Sequence, residues 1–192
     1  MSAKRPAPRL AVVNEQHMSE AQQALLASLR AGPRGASITP RGPFAAWMHA
    51  PELGELAQKL GAYCRYGTAL PPRLSEFAIL CTARLWRAHY EWFAHAPMAQ
   101  KGGVKPKTID DLRRGRVPKS APKDERAIYD FVKELYKTRR VGERTYKRVQ
   151  SLLGDKATVE LVGILGYYAL ISMTLNVFQM LPPDNEKLAF TE

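Results

Sequence analysis

The chain has 192 residues, 45% of them hydrophobic, which suits one domain with a real core and excludes a disordered or fibrous chain. Its two cysteines, Cys64 and Cys81, form no CxxC and have no metal-ligand spacing, so a disulfide framework is excluded and two reduced, buried thiols in a cytoplasmic protein are expected. Of the net charge of +11, +9 falls in residues 101–149, where 16 Lys and Arg face 7 Asp and Glu; no aromatic-rich motif interleaves them, so an anionic small molecule, an acidic partner or a solvated basic surface is expected rather than nucleic acid.

Residues 1–17 read as a flexible, basic, Pro-rich tail without the apolar region of a signal peptide, and residues 18–192 as a single domain. Ser19 caps a first helix with Gln22 as its capping-box partner, and Gly32-Pro33 end it. The stretch GPRGASITPRGP is a loop. A second helix is expected from about Phe44 to Tyr63, interrupted at Pro51, with Leu53, Leu56 and Leu60 as its apolar stripe. Pro71-Pro72 open a third, with Leu74, Ala78, Cys81 and Leu85 at helical spacing. A further helix carries Tyr90 to Gln100 and stops at Gly102-Gly103.

A short helix over residues 106–116 follows, then one with Ile128, Phe131, Val132 and Leu135 on a single stripe. Arg144 to Leu153 make another, ended by Gly154. Residues 161–181 carry no charge over 21 positions, long enough to raise a membrane span. Their two glycines, two tyrosines and Ser172, Thr174, Asn176 and Gln179 favour instead a buried helix, at the centre of a bundle or at a subunit interface. No stretch alternates long enough to make a strand, so the chain reads as all-α, a bundle of about seven to eight helices.

Glu76, a helical run, Ala88-His89-Tyr90-Glu91-Trp92 and His95, then Pro97, Ala99 and Gly102-Gly103 resemble the carboxymuconolactone decarboxylase family, which shares its all-α fold with the alkylhydroperoxidase D (AhpD) proteins. The YEWxxH block is similar to the motif of the decarboxylase branch, and Gly166 to Tyr168 and Leu175-Asn176 fit longer members. In the peroxidase branch a CxxC precedes the motif histidine; this chain has Ala88 and Glu91 at those places, and lacks the two thiols such a relay needs. The resemblance implies an AhpD-like bundle, assembly as a trimeric or hexameric homo-oligomer, and decarboxylation or related hydrolysis of a small carboxylated lactone from aromatic catabolism, without cofactor. A thiol-linked antioxidant of the same fold and a non-catalytic protein binding through its basic surface are the rivals.

On one straight helix Glu76 and His95 would lie about 28 Å apart. They can share a site only if the chain reverses near Leu85 to Ala88. An Asn-Gly pair often makes that break in the family; Trp86-Arg87, which stand here, do not force one. With the reversal, His95 is expected to act as general acid/base near its ordinary pKa of about 6.5. Glu76 would orient it and Tyr90 would donate to a developing oxyanion. Arg84 or Arg87 would hold the substrate carboxylate, with Glu91 and Trp92 also in contact with the substrate. Plainer roles stand beside these: a helix-start carboxylate at Glu76, an i,i+4 bridge between Glu91 and His95, and packing for Tyr90 and Trp92. Glu91 and His95 are two ligands without a third, so no metal is expected.

Overall fold

The computed structural model describes residues 5–190. Among them are eight α-helices and no strand. Helix α1 (Glu20–Ala31) starts at Ser19 with both capping-box hydrogen bonds to Gln22 in place. The expected second helix is divided, as Pro51 requires, into α2 (Pro43–Trp47) and α3 (Pro51–Ala62). A π-helical turn, Tyr63–Gly67, follows directly. Then come α4 (Pro72–Trp86), α5 (His89–Gly102), α6 (Pro106–Arg113), α7 (Lys123–Thr138) and α8 (Glu143–Val177).

Helix α4 is the centre. It packs against α5, α6, α7 and α8, and every residue from Leu74 to Ala83 is buried. Its Phe77, Ile79 and Leu80 meet Ile128, Phe131 and Val132 of α7 and Leu161, Ile164 and Leu165 of α8 in one core. Helix α8 is two helical segments joined at Gly154, whose φ of 78° a side chain would strain, so the stop expected there is present as a kink. Its apolar half has the length and hydropathy of a membrane span, but 61% of that window is buried inside the bundle, as in the core helix of a soluble fold. One face stays open: Val159, Val162, Met173 and Val177 are exposed.

The α3 stripe is the reverse of the expectation. Leu53, Leu56 and Leu60 face outward, and the buried face is Gly54, Ala57, Gln58 and Gly61. The small residues let α3 lie close to its neighbours: a methyl group at Gly54 would meet Leu25 and Trp47, and one at Gly61 would meet Tyr167. Of the basic tail expected over 1–17, residues 1–4 lie outside the described residues. Over 5–17 the chain runs past the C-terminal segment, with Arg9 N–H donating to Phe178 O at 3.0 Å, and ends in a single 3₁₀ turn, Glu15–His17.

Candidate active site

The chain reverses between α4 and α5. Helix α4 ends in a Schellman motif: Ala88 N–H donates to Ala83 O at 2.9 Å and Arg87 N–H to Arg84 O at 3.2 Å. Arg87 takes the left-handed conformation, φ 53° and ψ 34°, where glycine is the usual occupant. The Asn176 side-chain amide donates to the Trp86 carbonyl at 2.7 Å, which satisfies one of the end carbonyls that α4 leaves open. Asn176 is thus exposed and bonded to backbone, not buried as its place in the uncharged helix suggested.

The reversal lays α5 along α4 and brings Glu76 to His95. His95 Nδ1 lies 2.6 Å from Glu76 Oε2, and its Nε2 lies 2.9 Å from Glu91 Oε1, one helical turn back. All three side chains are buried. Two carboxylate acceptors require both ring nitrogens to carry protons, so the arrangement holds an imidazolium. Burial alone would push the His95 pKa down; the charge of Glu91 and the hydrogen bonds and charge of Glu76 outweigh it and hold it up at about 9. The ordinary value expected from the sequence is therefore displaced upward, and neither ring nitrogen is left to touch a substrate. Tyr168 stands edge-on to the imidazole, ring centres 5.1 Å apart.

Glu91 and His95 face a cavity of about 330 Å³. Three guanidinium groups line it: Arg34 and Arg41 from the loop before α2, and Arg65 from the π turn. Arg65 Nε is 3.9 Å from Glu76 Oε1; Arg34 donates to the Gln58 carbonyl at 3.3 Å and lies over the Phe44 ring. Tyr90 and the aromatic rings of Tyr167 and Tyr168 close the wall. Burial raises the pKa of all three phenols, so they stand as hydrogen-bond donors.

Arg84, Arg87 and Trp92 take no part in this cavity. Arg84 and Arg87 line a separate one between α4, α6 and α7. Trp92 is buried, its ring packed edge-on against Phe190 at 5.3 Å. The three arginines that do line the His95 cavity sit outside the motif. Arg34 and Arg41 share one local signal, the repeated Pro-Arg-Gly of Pro33-Arg34-Gly35 and Pro40-Arg41-Gly42, with φ of 90° and 55° at the two glycines.

The thiols lie elsewhere. Cys64 and Cys81 are both unpaired and buried. Burial, then the nearby Glu160 charge, pushes the Cys64 thiol up to about 11, and burial raises Cys81 further. Among the described residues, no group of three or more His, Cys, Asp or Glu side chains is arranged to hold a metal ion.

No protein-family model and no curated protein matches the chain. A solved structure does: a protein of Ralstonia eutropha JMP134, described as an "alkylhydroperoxidase AhpD core: uncharacterized peroxidase-related protein", superposes with a TM-score of 0.74 at 17% sequence identity, covering 94% of this chain and 95% of that one. The chain therefore has the AhpD-like all-α fold.

Proposed function

We propose that the chain is a cofactor-free acid–base enzyme that decarboxylates, or hydrolyses, a small carboxylated lactone in the His95 cavity. The carrying observation is the Glu76–His95–Glu91 chain beside three arginines. The arginines supply charge-assisted hydrogen bonds for a carboxylated substrate. As carbon dioxide leaves, the electron pair of the broken bond passes into a dienolate, whose oxygen the Tyr90 hydroxyl can meet. The carbon skeleton then takes a proton through Glu91, which lines the cavity beside His95, whose two ring nitrogens are both turned to carboxylates. His95 holds that proton reserve, and Glu76 keeps the imidazole oriented and charged. Glu91 thus moves from substrate contact to proton carrier, and His95 from direct acid to its source.

The fold likeness is equally compatible with hydroperoxide chemistry. Acid–base chemistry is favoured at the residue scale, because Ala88 and Glu91 stand where that chemistry needs cysteines and the two thiols present are buried with raised pKa values. The test is turnover of 4-carboxymuconolactone by the purified protein. Glu91→Gln and His95→Ala should each lower kcat by about 10²–10⁴-fold. Undiminished turnover removes the chain from the mechanism; peroxide consumption abolished by Cys64→Ser or Cys81→Ser establishes the thiol reading instead. The exposed leucines of α3 and the open face of α8, two helices packed on each other, support assembly as a homo-oligomer.

A further inference from the structure

The cavity that receives Arg84 and Arg87 is not accounted for by the acid–base site. It encloses about 270 Å³ between the second half of α4, the end of α6 and α7. A neighbouring hollow of about 410 Å³ shares Leu85 and Lys133 with it and adds Lys137 and Arg139. Together they reach the size of small-ligand sites. The floor is apolar and aromatic, with Leu112, Val132 and Tyr129 in the first hollow and Trp86 and Tyr136 in the second. The rim is cationic, and among the described residues no carboxylate lines either hollow.

The nearby acids are already paired, and of the rim cations only Arg116, which also lines the first hollow, is neutralised by them. Asp130 pairs with Arg126 and Arg148, and Asp110 and Asp111 with Arg116. Among the described residues Arg84, Lys133, Lys137 and Arg139 have no ion-pair partner. The Arg84 Nε is buried and meets no acceptor. Its guanidinium is held in place over the Phe190 ring at 5.1 Å and against Gly115, where a methyl group would come 2.7 Å from Nη2. A buried donor so placed calls for an acceptor from outside the chain.

The backbone gives a second, independent sign. Among the described residues three non-glycine residues have positive φ: Arg87 at 53°, Arg139 at 65° and Gln179 at 54°. Arg87 and Arg139 end α4 and α7, at positions where glycine is less strained, and both line this groove. Strain retained at two places for the same side chain, around one hollow, is the mark of a functional demand.

We infer that this groove binds a small organic polyanion with a planar apolar body: the ring lies on the aromatic and aliphatic floor, and two or more negative charges meet the arginines and lysines of the rim. That chemistry is shared by aromatic polycarboxylates and nucleoside phosphates. The inference stands apart from the acid–base reading.

Calorimetric titration at low ionic strength with benzene-1,2,4-tricarboxylate, ADP and inorganic phosphate tests it. At least one ring-bearing anion should bind about tenfold or more tightly than phosphate, and whichever binds tighter identifies the source. Arg87→Gly with Arg139→Gly should weaken that binding about tenfold or more without lowering Tm, and Arg139→Gly alone should raise Tm by about 2–4 °C. Should the double variant lose stability, Arg84→Met decides: weakened binding at unchanged Tm upholds the site, and unchanged binding overturns it. Arg34→Ala with Arg41→Ala should leave the affinity within about twofold. No binding, phosphate as good as the ring-bearing anions, affinity untouched by the glycine substitutions, or loss on changing Arg34 and Arg41 would each overturn the proposal.

Discussion

His95 gives up its proton near pH 9, well above the ordinary histidine value, because two carboxylates share it. The folded protein holds that proton more tightly than the unfolded chain. The stabilisation is therefore complete below about pH 6.5 and is lost as pH rises through about 9. A shift of this size corresponds to about 3 kcal/mol at most. Tm should fall steadily across that window, and His95→Gln should flatten the fall. A wild-type Tm that is level from pH 6.5 to 9 would contradict the buried imidazolium. The residues of this chain were legible because Glu76, Glu91 and His95 sit in one motif. Arg34, Arg41 and Arg65 were not, since each enters the cavity through the path of a loop or π turn that no periodicity records.

At the scale of elements, the reversal between α4 and α5 makes the site. Neither Trp86 nor Arg87 announces a turn in sequence; the Schellman hydrogen bonds and Asn176, 90 positions away, complete it in space. Asn176→Ala removes an exposed hydrogen bond and should cost about 0.5–1 kcal/mol. Because the loosened turn also carries α5 away from Glu76, turnover should fall without a change in the buried core. Gly61→Ala acts on the opposite wall. Its new methyl would lie 2.0 Å from the Tyr167 hydroxyl, so the ring that closes the cavity must move. About 1–3 kcal/mol of stability and most of the turnover should go with it, read by thermal melting beside the lactone assay.

For the whole molecule, helical spacing and punctuation carried the fold: the capping box at Ser19, the break at Pro51 and the stop at Gly154 each fall where read. The orientation of α3 did not follow, because a stripe of leucines states that a helix has a greasy side without saying which side its neighbours occupy. Gly54 and Gly61 decided it by admitting close packing on the other face. The exposed leucines, with Leu56 at 70% and Val159 of α8 at 71%, are the surface on which assembly would depend. Leu56→Glu with Val159→Glu should convert the oligomer to monomer in sedimentation velocity while Tm is retained; a wild-type chain that sediments as a monomer would remove the assembly proposal.

Around His95 the formal charges are three guanidinium groups and an imidazolium against two carboxylates, leaving an excess of two positive charges. A dianion entering this hollow makes it neutral. In the proposed decarboxylation the ligand loses one carboxylate and takes a proton; once solvent returns that proton to His95, what remains is a monoanion facing the same unbalanced wall. Departure is then eased by the reaction itself, and a fresh dianion displaces the spent molecule by charge alone.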